Sequence, residues 1–93
     1  MARFQDGERV RILDRVETRH HRVPAYVKGH MGRIERVCSA YGQPELLATG
    51  GSGEPFQTLY RVRLMQTDLW PEYGGRPGDT LEIEIFEHWL ESA

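Results

Sequence analysis

One basic stretch carries most of the side chains in this sequence that could do chemistry. Residues 19–35 hold three of the four histidines, four of the twelve Lys and Arg residues, a proline and two glycines. Histidine titrates near neutral pH and binds metals, and arginine presents a planar, permanently charged set of donors. A linker does not need this mixture. We therefore expect a rigid basic loop that presents one of these groups.

A histidine metal site is the first chemistry that the stretch could support, from His20, His21 and His30. Neighbouring residues of an extended backbone point in opposite directions, so His20 and His21 make poor co-ligands. The spacing matches no familiar zinc pattern, and the single cysteine, Cys38, excludes a multi-thiolate site. We interpret these histidines as hydrogen-bonding loop residues and expect no metal bound by this chain.

Nucleic-acid binding and nucleophilic catalysis are two further alternatives. The basic loop with Tyr26 and Tyr41 could bind phosphates and stack bases, as small β-barrels do. The net charge of −2 and the acidic last third of the chain argue against that partner. Cys38 ends an apolar run, so we interpret it as a small buried core residue rather than a nucleophile.

Arg22 is a candidate for the presented group, and the alternative, which composition alone favours, is a solvated loop arginine. Its guanidinium offers five donors in one plane, and Val23-Pro24 restrict the backbone that follows it. A restricted backbone loses little entropy when the side chain docks. Trp70 and Tyr73 are also candidates, either as interface anchors or as aromatic residues at the edge of the core.

Alternating apolar and polar residues predict the strands that must position these groups. The predicted strands are residues 9–13, 33–38, 59–65 and 81–86. A helical or 3₁₀ turn over residues 86–91 should end the chain. The residues predicted to face the core are Phe4, Val10, Ile12, Tyr60, Val62, Leu64, Trp89 and Leu90.

The segments between the strands are predicted as long connections. They are residues 14–30, 39–57 and 66–79, which lack a clear hydrophobic period. Gly29 and Gly32 predict a tight turn with positive φ before the second strand. Val37 lies near a change of face or a bulge in that strand.

Short strands joined by long loops predict a mainly β fold. We expect a small SH3-like antiparallel barrel with a short C-terminal helical turn, and an OB-like barrel is the rival. Residues 1–93 should form a single domain. No run approaches the roughly 20 apolar residues of a membrane span, and the N-terminus lacks a secretory signal, so we expect the cytoplasm.

Four segments, taken in order, resemble the nitrile hydratase β subunit. The loop from His20 to Glu35 is similar to that family's pattern His-Thr-Arg-x-Pro-x-Tyr-x-Arg-Gly-x-x-Gly-x-Ile. The other three similar segments run from Phe4 to Arg11, from Leu59 to Trp70 and from Asp79 to Leu90. Because they cover nearly the whole chain in the right order, the resemblance is more specific than any one motif.

The resemblance implies an SH3-like barrel and a role in hydrating a nitrile or thiocyanate. In that family, an α-type subunit holds iron(III) or cobalt(III) in a claw of cysteines, two of them oxidised. An arginine of the β subunit hydrogen-bonds those oxygens, and the match gives Arg22 that position, with His20 in support. The residues expected at the interface are His20, His21, Pro24, Tyr26, Lys28, Trp70 and Tyr73.

Departures from the family pattern shape the expected role. His21 replaces threonine, Ala25 replaces a common arginine, and Lys28 replaces an arginine and loses its fork. The helical N-terminal domain of the β subunit has no counterpart here, so we expect a separate helical chain to supply it. We expect a small non-metal subunit that binds that chain and the α-type metal subunit. The alternatives are a metallochaperone-type accessory protein and, from another class, a barrel that binds nucleic acid or protein.

Overall fold

The computed structural model describes residues 3–17, 22–48, 50–51, 54 and 57–93, without the side chain of Tyr41. In these residues the strands are β1 (Arg9–Ile12), β2 (Met31–Tyr41), β3 (Gln57–Met65), β4 (Thr80–Phe86) and β5 (Leu90–Ser92). Two four-residue helices are α1 (Pro44–Leu47) and α2 (Gln66–Leu69). Ala25–Val27 and Glu87–Trp89 are 3₁₀ turns. None of the helices described is long and apolar enough to cross a membrane.

The described strands form one antiparallel sheet that must curl on itself. Their order is β4-β3-β2-β1-β5, so β4 and β5 lie at opposite edges. Only the three-residue turn Glu87–Trp89 connects those two strands. The four Cα-to-Cα steps from Phe86 to Leu90 span about 14 Å at most, whereas four strand spacings amount to roughly 19 Å. The edges therefore approach each other, which confirms the predicted mainly β, SH3-like architecture.

The concave side of the curled sheet holds the core. The inward faces predicted for β1 and β3 are confirmed, as is the burial of Phe4, Trp89 and Leu90. Residues from the basic loop and from α2 complete this cluster. Its buried members are Phe4, Val10, Ile12, Val23, Val27, Ile34, Tyr60, Val62, Leu64, Leu69, Ile85, Trp89 and Leu90.

β2 is longer than its sequence pattern predicted. It runs over 11 residues, with register shifts between Ile34 and Arg36 and between Val37 and Ala40. The second shift confirms the irregularity predicted at Val37. Each bulge reverses the inward and outward alternation, so the end of the strand was wrongly predicted as loop. Cys38 consequently is only partly buried, which corrects its prediction as a buried core residue.

Three short elements lie in or beyond the predicted connections. α1 forms within the connection predicted over residues 39–57, and α2 opens the connection predicted over residues 66–79. β5 has three residues, too few to show a period of two. It is held by pairing with β1, a contact between the two ends of the chain.

The two glycines near the start of β2 have different roles. Gly29 has a φ of 82°, as predicted, and its N–H donates to the carbonyl of Ile12 at 2.7 Å. Gly32 is not among the positive-φ glycines, so that part of the prediction was wrong. A Cβ on Gly32 would lie 2.6 Å from the carbonyl oxygen of Arg63. This glycine therefore permits the close approach of β3.

Tyr60 joins three distant parts of the chain inside the core. Its hydroxyl donates to Glu87 at 2.7 Å and accepts from the Phe4 N–H at 3.1 Å. The Phe4 and Tyr60 rings meet edge to face, with centroids 5.5 Å apart. Burial, together with the hydrogen bond to the Glu87 carboxylate, raises the pKa of Tyr60 above its usual 10.0.

Removing the Tyr60 hydroxyl should destabilise the fold. In Tyr60→Phe, the buried N–H of Phe4 loses its acceptor, and we expect the free energy of unfolding to fall by about 1–3 kcal/mol. Urea denaturation measures this loss. Tyr73→Phe is the matched control, because the Tyr73 hydroxyl donates to Asp79 in a partly exposed turn. Equal losses in both variants would contradict the structural role of Tyr60.

Candidate functional site

Arg22 has the strained backbone of the basic loop. Its φ is 61°, and no other non-glycine residue described has a positive φ. The left-handed conformation costs an L-residue about 1–2 kcal/mol. The buried side chains of Val23 and Val27 anchor the chain on the C-terminal side of Arg22, and Pro24 opens the turn between them. Strain held in this way points to a function for the residue.

The Arg22 side chain is exposed at the edge of an open groove of about 620 Å³. No hydrogen bond or ion pair joins it to another residue of the described ranges. We call this the Arg22 groove. The residues that line it with Arg22 are Gly42, Pro44, Leu47, Ala48, Leu59, Glu84 and Phe86. Arg22 thus borders a mixed apolar and acidic surface, and none of the described carboxylates forms an ion pair with it.

A buried carboxylate holds α1, which forms one wall of the groove. Glu45 is only 3% exposed. One of its carboxylate oxygens accepts hydrogen bonds from His88 Nε2 at 2.6 Å and from Trp89 Nε1 at 3.0 Å. Burial opposes the charged form, but these bonds and one from the Glu45 backbone outweigh it and lower the pKa of Glu45 below 4.5.

Glu45 and His88 were not among the residues predicted from the sequence. They lie 43 residues apart, so no local motif shows that they meet. The only signal in the sequence is a carboxylate beside the apolar pair Leu46-Leu47, which is equally typical of a solvated helical turn.

Lys28 supports the loop from within. Its ammonium donates to the carbonyl of Arg15 at 3.0 Å and lies 5.1 Å from the centre of the Trp89 ring. The Arg15 guanidinium lies 4.1 Å from that same ring centre. Each cation–π contact contributes roughly 0.5–1 kcal/mol or more. Lys28, predicted at the interface, therefore also fixes the loop onto the core.

Tyr26 and Trp70 form an exposed aromatic pair. Their ring centroids are 5.4 Å apart, and the two residues are 43% and 41% exposed. Trp70 Nε1 donates to the side chain of Gln66 at 2.8 Å, which holds the indole in place. Both residues were predicted at an interface, and the structure brings them together from segments 44 residues apart in sequence.

The other predicted site residues have different settings. Tyr73 donates to Asp79 at 2.6 Å and so stabilises its own turn. Pro24 is half-buried at the start of the 3₁₀ turn. His20 and His21 lie outside the described residues. Among those described, no group of three His, Cys, Asp or Glu side chains could hold a metal ion.

Comparisons with known proteins point to one family. Residues 1–92 match the family described as nitrile hydratase beta subunit, C-terminal. The chain is 38% identical over 93 residues to thiocyanate hydrolase subunit alpha of Thiobacillus thioparus. This match covers 99% of this chain and 73% of that one. It is 29% identical over 90 residues to nitrile hydratase subunit beta of Pseudomonas putida, covering 97% of this chain and 41% of that one.

A solved structure agrees with these sequence matches. The recombinant apo-enzyme of thiocyanate hydrolase from Thiobacillus thioparus matches with a TM-score of 0.93 and 37% identity. The match covers 100% of this chain and 78% of that chain. By contrast, the chain spans about two fifths of the nitrile hydratase relative above.

Replacing Arg22 by glycine should make the protein more stable. Glycine adopts positive φ without strain, although it also gains entropy in the unfolded chain, so we expect a net gain of about 0.5–1 kcal/mol. Arg22→Ala keeps a Cβ and should give no such gain. Urea denaturation of both variants measures the difference. If Arg22→Gly is less stable than Arg22→Ala, the left-handed backbone is not strained.

Acidification should remove the contribution of Glu45 to stability. Because its pKa is lowered in the folded state, the carboxylate stabilises the fold above 4.5, and this contribution disappears as the pH falls through the folded pKa. The stability difference between the protein and Glu45→Gln should therefore shrink below about pH 4.5. Urea midpoints from about pH 6 to about pH 3 test this. Glu72→Gln, at an exposed position, should leave the pH profile unchanged.

Proposed function

This chain belongs to the family of the C-terminal domain of the nitrile hydratase β subunit, and from that membership we propose that it is a small non-metal subunit of a heteromeric enzyme. The proposed reaction is the hydration of a nitrile or of thiocyanate. The match to thiocyanate hydrolase subunit alpha, which extends over most of both chains, supports a separate small subunit. The expected partners are a metal-binding α-type subunit and a helical chain that corresponds to the N-terminal part of the β subunit.

The proposed role of Arg22 is to bind the oxidised cysteines of the partner's metal claw. The observation that carries this proposal is an exposed guanidinium without an internal partner among the described residues, on a backbone held at a φ of 61°. A planar cationic fork matches sulfenate and sulfinate oxygens and makes charge-assisted hydrogen bonds to them. Because the loop is already ordered by Val23, Val27 and Lys28, docking would cost little additional entropy.

The chemistry of the reaction would come from the partner's iron(III) or cobalt(III), which acts as a Lewis acid toward the C≡N group and water. This chain would supply two further contributions through its own residues. Arg22 would hold the claw oxygens in place, and the apolar residues of the Arg22 groove would exclude water beside them.

The proposed interface extends from Arg22 along the basic loop. Pro24, Tyr26 and Lys28 follow Arg22 in the chain, and Trp70 packs against Tyr26. An exposed aromatic pair is a typical interface anchor, because it buries a large area with few rotatable bonds. His20 and His21 precede Arg22 and are assigned to the same interface. Tyr73 is assigned to its edge. One domain over residues 1–93 and a cytoplasmic location stay predictions.

Arg22→Lys in the assembled enzyme tests the proposal most directly. The chain is co-expressed with an α-type metal subunit and a helical chain of the family, and the complex is isolated by gel filtration. Lysine keeps the positive charge but lacks the planar, paired N–H donors of arginine. We therefore expect the complex to form with turnover reduced about 10- to 100-fold. Arg36→Lys, another exposed arginine in the bulged part of β2, is the matched control and should retain activity.

Two outcomes would overturn parts of this assignment. If Arg22→Lys leaves both the complex and its turnover intact, Arg22 does not contact the claw. If the chain leaves the complex once the partner holds its metal, it is an accessory protein for metal loading rather than a subunit. Metal content of the partner, measured with and without co-expression of this chain, separates these cases.

A further inference from the structure

Three arginines lie side by side on the outer face of the sheet. Arg9 of β1 is directly opposite Arg33 of β2, and Arg33 is directly opposite Arg63 of β3. The residue that follows each arginine is buried, so all three arginines are on the face opposite to the core. Like charges directly opposite one another destabilise a sheet. An anion bound beside such a row would offset this repulsion.

The chain itself neutralises only one end of this row, as far as the described residues go. Arg63 forms a two-pronged pair with Glu82, at 2.6 and 2.8 Å. Arg33 donates to the carbonyl of Gly7 at 3.1 Å, and Arg9 contacts the Met31 sulfur at 3.9 Å. Within the described ranges, no carboxylate forms an ion pair with Arg9 or Arg33. Two adjacent guanidinium groups thus have no ion pair with any carboxylate that the structure describes.

The row borders a groove of about 410 Å³ that also has apolar walls. Met31 and Met65 line it and are 41% and 37% exposed. Thioether side chains adapt to varied apolar partners. We call this the arginine–methionine groove. It shares no lining residue with the Arg22 groove among the residues described.

We propose that the arginine–methionine groove binds an extended acidic segment of a partner polypeptide. One carboxylate of that segment would lie between Arg9 and Arg33, and an apolar side chain would pack on Met31 and Met65. Guanidinium groups bind carboxylates through paired hydrogen bonds, and two arginines on neighbouring strands are only about 5 Å apart. This docking surface does not depend on the proposed function, because Arg22 has no part in it.

The surrounding charges favour a polypeptide over a nucleic acid. Glu35 and Asp68 line the same groove. Glu82 of β4 lies directly opposite Arg63, at one end of the row of arginines. Glu91 pairs with Arg11 at 3.7 Å on the other side. The positive patch is therefore short and bounded by carboxylates, which would repel successive phosphates of a nucleic-acid strand. A segment with isolated carboxylates and apolar residues between them avoids this repulsion.

Peptide binding to the full chain tests this proposal. The probe is a fluorescent peptide of the repeat Glu-Ser-Leu-Ser, which places well-separated Glu and Leu side chains on the same face of an extended chain. Its control is the same peptide with Gln in place of Glu. Fluorescence anisotropy should show binding of the Glu peptide that weakens as salt is added, and Arg9→Glu with Arg33→Glu should weaken it at least about tenfold. Arg36→Glu, which reverses an exposed charge outside the groove, should leave binding unchanged.

If the double variant folds poorly, a single substitution whose stability is also measured still tests the proposal. Arg9→Gln removes one repelling charge and should leave the thermal midpoint equal or higher, while it weakens peptide binding. Equal binding of the Gln peptide, or equal loss in Arg36→Glu, would overturn the proposal. Stronger binding of a single-stranded oligonucleotide would overturn it in favour of nucleic acid. Self-association through this face, shown by sedimentation and abolished by Arg33→Glu without any peptide binding, would overturn it in favour of a second copy.

Discussion

The structure depends on the short turn Glu87–Trp89, which closes the sheet between its two edges. Together its three residues hold three different parts of the chain. Glu87 accepts from Tyr60, which in turn holds Phe4. His88 and Trp89 both donate to Glu45 and so fix α1. The Trp89 carbonyl accepts from Leu13, and its ring supports Arg15 and Lys28. The N-terminal segment, α1 and the basic loop therefore all meet where the barrel closes.

This arrangement explains how a small protein can hold a strained loop. A domain of this size has only a few kcal/mol of net stability, and the left-handed conformation of Arg22 lowers it noticeably. Trp89 of this turn offsets part of that cost through its contacts with Lys28 and Arg15, and the burial of Val23 and Val27 in the core contributes separately. A conformation that costs stability and exposes a cation with no ion pair among the described residues is typical of a residue kept for binding.

Charge is arranged locally on this protein although the net charge is small. On β3 and β4 the outer arginines face glutamates directly, as in Arg61 with Glu84 and Arg63 with Glu82. On β1 and β2, Arg9 and Arg33 face each other instead. The net charge of −2 is a sum over the whole chain, so it does not give the local charge of either surface. Cross-strand register decides which cations are neutralised within the fold and which are available to a partner.

The sequence by itself determined the strands with regular alternation, their inward faces, the mainly β class and the candidacy of Arg22. These features follow from a period of two and from local motifs, which neighbouring residues specify. Only the tertiary structure decided the full length of β2, the existence of β5, the positive φ of Arg22 and the contact of Glu45 with His88. The aromatic pair of Tyr26 and Trp70 and the row of Arg9, Arg33 and Arg63 belong to this second group. They depend on bulges, strand register and closure of the sheet, which bring together residues far apart in the chain.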